Sequence, residues 1–256
     1  MSERGLAAAL GLFTIVPAPF TARIDRAVAA RAIRVFPWLG LGLGVIAGAV
    51  GFGVRWRTGS DAFAAVCGLL VLQGLTGAMH LDGLADTADG LGSRRSASEA
   101  LAIMRRSDIG PMGVASIVAA LFLDIAALAS THGPGGPAVA LIVGPAVGRC
   151  ASVIATRRGV PGARQSGFGA LFVGVTGPFA ALISALAVTA VATGGGWLVG
   201  GPHGALVYGS ASVIALTVSE GWRSHLTRRL GGLTGDTFGS LIETSQAVFW
   251  VVAALL

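Results

Sequence analysis

The sequence predicts an all-α integral membrane protein: about seven transmembrane helices, preceded by a short N-terminal helix that re-enters or lies in the interface. Three observations predict it. Only 12% of the 256 residues are charged, against about 25% in a soluble domain. Hydrophobic residues make up 54% of the chain, and the mean hydropathy is +0.77. Long apolar runs alternate with short arginine-bearing segments along the whole length, the pattern of a polytopic chain. Helices are expected because an open strand edge leaves backbone groups unsatisfied in lipid. Residues 1–256 read as a single transmembrane domain.

Residues 5–20 are apolar and end at Pro17-Ala18-Pro19. Sixteen residues are marginal for a core of about 30 Å, so an interfacial or re-entrant helix is expected. No small-x-small cleavage site follows, and the segment is expected to stay on the protein. A basic stretch from 21 to 34 leads to the first span, 35–54. Its Gly40, Gly44 and Gly48 form a small-residue stripe that admits a close helix neighbour. Contact within the chain is the default use of that stripe; a homo-oligomer seam is the alternative. Further spans are expected at 62–79, 112–130, 136–155, 170–193, 203–221 and 238–256. Cys67 and Cys150 lie inside apolar runs and read as small buried hydrophobes, with no disulfide framework.

All eighteen basic residues are Arg, and the net charge is +6. In a soluble protein that would suggest nucleic acid. Here the arginines sit between apolar segments, so topology explains them and no nucleic-acid partner is expected. With 21–34 placed in the cytoplasm, fourteen of the eighteen arginines fall on cytoplasmic connections, in the groups Arg23–Arg34, Arg94–Arg106, Arg157–Arg164 and Arg223–Arg229. The same orientation puts the polar stretches around residues 80–110 and 222–237 on one face, so two motifs far apart in sequence can build one site.

The first motif, His80–Gly90, reads HLDGLADTADG. On a helix Asp82, Asp86 and Asp89 fall within roughly 60° of one another. Three like charges on one stripe repel unless a cation sits among them, and carboxylate oxygens suit Mg²⁺ or Mn²⁺. The competing reading is a solvated polar loop at the membrane edge. Gly83 and Gly90 leave room for phosphates near the backbone. His80 points about 160° from Asp82 on a continuous helix; it reads equally as a general acid/base or as a structural donor.

The second motif, Gly231–Glu243, reads GGLTGDTFGSLIE. Gly231, Gly232 and Gly235 make a turn, and Asp236, Ser240 and Glu243 share one helical face. Asp236 could be only a helix cap. Glu243 sits in an apolar run, where a carboxylate is usually functional. Arg149 lies roughly 9 Å inside its span, should face the protein interior, and suits a bidentate phosphate clamp. Asp124 is assigned no role. Of Arg94, Arg95, Arg105 and Arg106, most are topological anchors, and one or two could meet a polyphosphate. Together these features point to metal-assisted phosphoryl chemistry at a membrane surface.

The residues resemble the cobalamin synthase family over nearly the whole chain. The resemblance is carried by TIVPAP at Thr14–Pro19, FPWLG at Phe36–Gly40, HLDGLADTADG at His80–Gly90, IMRRSDIGPMG at Ile103–Gly113, Arg149, and GGLTGDTFG with Glu243. Many relatives read roughly MxDSxxG where this chain has Met104-Arg105-Arg106-Ser107-Asp108-Ile109-Gly110; the acid stands two positions later, and Asp108 is given no metal role. The resemblance implies a Mg²⁺-dependent adenosylcobinamide-GDP ribazoletransferase in the bacterial inner membrane, its site facing the cytoplasm. A hydroxyl of α-ribazole, or of its 5′-phosphate, would attack the cobinamide-side phosphorus of adenosylcobinamide-GDP and release GMP. It implies catalytic roles for His80, Asp82, Asp236 and Glu243 and metal ligation by Asp82, Asp86 and Asp89. Substrate contacts would come from Arg149, Gly83, Gly90, Arg105, Ser107, Gly232 and Gly235. A CDP-alcohol phosphotransferase is the runner-up, but Asp86 stands where that family's DGxxAR motif has Arg. A cation-coupled transporter is a third reading; its acids would be expected at the midplane.

Overall fold

Helices begin and end where the chain supplies caps, and these caps place the site. The computed structural model describes residues 3–18, 24–131, 133 and 135–256; Pro19 and Arg23, invoked above, lie outside them. The N-terminal helix α1, Glu3–Phe13, has 11 residues, about 16 Å of helix and too short to cross a bilayer. Helix α2, Arg26–Thr58, starts nine residues before the expected span, because the Asp25 side chain accepts from the Val28 N–H at 2.8 Å. Helix α3, Asp61–Thr76, stops at Gly77 (φ 60°), and α4, Met79–Gly92, leaves at 88° to it. The Asp-rich motif therefore lies on a helix turned across the end of α3. A short α5, Ala97–Ile103, precedes α6, Pro111–Ala129, and α7, Ala138–Ala155. A 3₁₀ turn at Gly169–Leu171 interrupts the expected start of the next span. Helix α8 runs Pro178–Leu230 and α9 Gly235–Leu255.

Among the described residues, five helices are long and apolar enough to cross a membrane, or six if α3 and α4 together make one broken span. In that number α8 counts once, although its 53 residues, expected as two spans, break at Gly200–Gly201 into two arms. That element is folded back on itself. Gly200 and Gly201 leave helical geometry, Gly201 with φ 57°. Thr189 and Ser212 hydroxyls then meet at 3.1 Å, although 23 residues of straight helix would separate them by about 35 Å. At the turn a Cβ on Gly196 would sit 2.6 Å from the Gly204 carbonyl carbon: the two arms touch backbone to backbone.

Helix α7 is the centre, with small and β-branched residues on every face and nearly all of them buried. It packs on α2, α8 and α9, and α4 packs on α9 and α6. The Gly40/Gly44/Gly48 stripe is used here. A Cβ on Gly40 would meet the Arg149 side chain and the Pro145 carbonyl, one on Gly44 the backbone of Leu141 and Ile142, and one on Gly48 the Ile142 side chain. The stripe is therefore filled by α7, and the oligomer seam suggested as its alternative use has no free surface there. The outward faces of α6 and α8 carry exposed Phe122, Phe179, Leu198 and Leu206, the apolar girdle a bilayer would cover.

The two ends of the bundle differ. At one end Arg26 donates to the carbonyls of Ala170 (3.0 Å) and Val173 (2.6 Å), and Arg229 donates to the carbonyl of Arg95. Arg157 makes a two-pronged pair with Glu220, 2.6 and 2.9 Å, and Arg223 grips the same carboxylate at 2.7 and 2.9 Å. The opposite end holds the Arg55–Asp61 pair at 2.5 Å and the α8 turn.

Candidate functional site

At the arginine-rich end, α4 and α9 approach through glycine. A Cβ on Gly83 would lie 2.7 Å from the Asp236 carbonyl oxygen, and one on Gly239 would lie 2.9 Å from that of His80. Only residues without a side chain allow this approach, and it sets Asp82 and Asp236 on one cavity. The cavity measures about 260 Å³. Asp82, Gly83, Arg164, Gly235 and Asp236 line its polar side, and Phe13, Phe36, Phe168, Phe172 and Phe238 its apolar side. The two motifs read as one site from the sequence are thus brought together.

The start of α9 shows what Asp236 does not do. Thr234 is the N-cap, accepting from the Thr237 N–H at 3.3 Å, while Thr237 Oγ1 accepts from the Thr234 N–H at 2.8 Å. Asp236, the second residue of the helix, accepts from the Thr234 hydroxyl at 3.2 Å and faces Arg164 Nη1 at 3.7 Å. Arg164 arrives from the 156–177 connection, held by a 2.8 Å bond from Nη2 to the Leu101 carbonyl. The connection itself is fixed by backbone bonds, Ala163 N to Leu233 O at 2.9 Å and Leu233 N to Pro161 O at 3.0 Å. Burial holds the Arg164 guanidinium below its ordinary pKa. Asp236 pulls the other way, Arg105 adds to the lowering, and Asp86 opposes it. From the sequence Arg164 reads only as a topological charge, within the basic loop TRRGVPGARQSG at Thr156–Gly167.

The three acids of the first motif part company. Asp82 is exposed at the cavity and Asp86 is half-buried, within range of the charges of Asp82, Asp236 and Asp89. Asp89 turns to α6. Its Oδ2 accepts from the Gly110 N–H at 2.6 Å and its Oδ1 from the Gly113 N–H at 2.8 Å, so it caps a helix that has no cap of its own. Among the described residues no three His, Cys, Asp or Glu side chains converge as a ready-made metal cage. Two hard-oxygen carboxylates beside a cavity are nonetheless what Mg²⁺ uses when substrate phosphates complete its shell. Asp82, which lines the cavity, and Asp86, within electrostatic range of Asp82, Asp236 and Arg164, are the pair that fits such an ion.

His80 shares the cavity, contrary to the straight-helix geometry. Helix α4 begins at Met79, and the imidazole is 95% buried with its ring centre 6.1 Å from that of Phe36; its Nε2 has no partner. Arg149 is buried and interior, as expected, but it does not line the cavity. Its Nη1 donates to the Pro145 carbonyl at 3.1 Å and its guanidinium lies 5.7 Å from the centre of the Phe36 ring. Glu243 is buried deeper along α9, near Gln73 and Arg149 and within electrostatic range of Asp124; it too is away from the cavity. Ser240, expected on the Asp236 face, accepts from Trp222 Nε1 at 3.0 Å. Gly90 serves packing, since a Cβ there would strike Met104 at 2.6 Å. Gly232 serves the backbone approach to Gly162 and Ala163. Arg105 lines a second cavity of about 450 Å³ with Ser98, Arg164, Gln165 and Ser166. Ser107 is exposed.

Comparison with known proteins adds to this geometry. The family described as cobalamin-5-phosphate synthase matches residues 5–254. A protein of Frankia casuarinae named adenosylcobinamide-GDP ribazoletransferase is 37% identical over 258 residues, covering 96% of this chain and 93% of its own. Proteins of the same name from Roseiflexus sp. and Klebsiella pneumoniae are 37% and 36% identical, each over 94% of this chain and over 85% and 96% of their own. No solved structure matches.

Proposed function

Because this chain belongs to the cobalamin-5-phosphate synthase family, we propose that it is an adenosylcobinamide-GDP ribazoletransferase acting at the bundle end that carries Asp82, Asp236 and Arg164. The supporting observation is that this end gathers both glycine–aspartate motifs, 154 positions apart at Asp82 and Asp236, on one cavity. The reading places the protein in a bacterial inner membrane with this end towards the cytoplasm, because the arginine-rich connections gather there.

In the proposed reaction a hydroxyl oxygen of α-ribazole, or of its 5′-phosphate, forms a bond to the cobinamide-side phosphorus of adenosylcobinamide-GDP. The bond from that phosphorus to the bridging oxygen breaks, and GMP leaves with the electron pair. The products are adenosylcobalamin, or its 5′-phosphate, and GMP. Asp82 and Asp236 are the carboxylates in contact with the cavity that can take the hydroxyl proton. Arg164 offers guanidinium donors to the charge that develops on the phosphoryl oxygens. Gly83 and Gly235 let the diphosphate approach the backbone. Asp82 and Asp86 would hold Mg²⁺, which would supply neutralisation of the diphosphate charge. Glu243 and Arg149 act beneath the cavity, as a buried polar support for Phe36 and His80.

The test is GMP release by membranes supplied with α-ribazole and adenosylcobinamide-GDP, with CDP-activated alcohols as the competing donor. Release of GMP that needs both substrates, stops on chelation and returns with Mg²⁺ is the expected result. Release of CMP from the alcohol donor, or none from either, would overturn the reading.

A further inference from the structure

Arg164 is the one residue that lines both the aromatic cavity and the 450 Å³ cavity beside α5, and the two cavities differ sharply in chemistry. The first is walled by phenylalanines in mutual contact. Phe13 lies 4.4 Å from Phe36, 6.2 Å from Phe168 and 5.6 Å from Phe172, centre to centre, and Phe168 and Phe172 are 5.0 Å apart. Rings tilted against one another in this way leave faces and edges for a further flat aromatic group. Within that wall, His80 presents a 95% buried imidazole whose Nε2 has no partner. A buried imidazole nitrogen without a partner costs free energy unless a ligand supplies one. The second cavity has hydroxyls at Ser98 and Ser166, an amide at Gln165, and guanidinium groups at Arg105 and Arg164, with no aromatic residue. It suits a phosphorylated, hydrogen-bonding group.

Phosphoryl transfer needs the incoming and leaving oxygens on opposite sides of the phosphorus. Two cavities of opposite character that share a guanidinium, with Asp82 and Asp236 lining the aromatic one, offer separate seats for the incoming and leaving groups. Resting on the transferase reading above, we infer that the aromatic cavity receives the flat heteroaromatic base of the acceptor nucleoside and that the Arg105/Arg164 cavity receives the guanosine phosphate end of the donor. Phe168 and its neighbours then select the acceptor by its apolar bicyclic base. Arg105 acts only on the nucleotide side.

Phe168 is 45% exposed and Arg105 is on the surface, so each can be changed without opening the core. Steady-state kinetics of GMP release, varying each substrate in turn, tests the assignment. Phe168→Ala is expected to raise KM for α-ribazole about tenfold, the loss of roughly 1.4 kcal/mol of ring contact, and to leave KM for adenosylcobinamide-GDP within about twofold. Arg105→Gln is expected to do the reverse. Phe168→Leu, which keeps apolar bulk without a ring, is expected to follow Phe168→Ala, and thermal unfolding of each variant in detergent checks that the fold is kept. Wild-type turnover together with any other pattern, whether both KM values move in one variant, the effects are exchanged, or neither moves, would overturn the assignment and leave the transferase reading standing. Wild-type membranes that release no GMP would overturn both.

Discussion

Thr234 and Thr237 close the start of α9 between themselves, which leaves the Asp236 carboxylate to Arg164 and the cavity. Asp236→Asn removes charge but no cap. It is expected to keep the unfolding temperature of the detergent-solubilised protein and to cut turnover by about a hundredfold or more, in line with the loss of a positioned acid/base group. Normal turnover of this variant would remove Asp236 from the chemistry. Asp89 is the opposite case. Its two oxygens hold the Gly110 and Gly113 amides, so Asp89→Ala is expected to cost about 2 kcal/mol of stability, seen as a lowered unfolding midpoint. Asp82→Ala, at an exposed position, should unfold like wild type while losing activity. The sequence made Asp82 and Asp236 legible because charge is rare in this chain and helical spacing reports a common face. It could not separate Asp89 from Asp82, because spacing tells which way a side chain points and not what stands opposite. Arg164 was illegible for the same reason: a guanidinium among many looks like an anchor until Asp236 lies 3.7 Å away.

At the level of helices, the site depends on how closely α4 and α9 lie. Gly83→Ala places a methyl against the Asp236 backbone at 2.7 and 3.1 Å, and helix backbones on both sides leave it nowhere to go. The variant is expected to lose about 1–3 kcal/mol from overpacking and most of its activity, because Asp82 and Asp236 are pushed apart together. Circular dichroism melting and GMP release measured on one preparation check both effects; loss of neither would mean the two helices do not need this approach. Periodicity and capping rules located α6, α7 and α9 to within a few residues. They did not foresee the turn at Gly77 that sends α4 off at 88° to α3, whereas the break at Gly200–Gly201 falls in the gap expected between the spans 170–193 and 203–221. Hydropathy alone does not register a change of direction.

For the molecule as a whole, arginine distribution and helix packing agree on two unlike ends, one with Arg95 and the site, the other with Thr58 and the Arg55–Asp61 pair. Single cysteines at Arg95 and Thr58, both exposed, test the orientation in a background lacking Cys67 and Cys150. A membrane-impermeant thiol reagent applied to intact cells is expected to label Thr58→Cys and miss Arg95→Cys; the reverse pattern would invert the topology. The glycine contact between α4 and α9 also has a consequence for how the protein is made. The ribosome emits His80 and Gly83 more than 140 residues before Gly239, and a contact of such long sequence separation forms late and slowly. Throughout that interval the groove on α4 that later receives Gly239 has no permanent neighbour. A nascent chain arrested just after α8 would hold the first acidic motif in the membrane with its partner helix still unborn, and completion of α9 is the step that turns an inserted bundle into a catalyst.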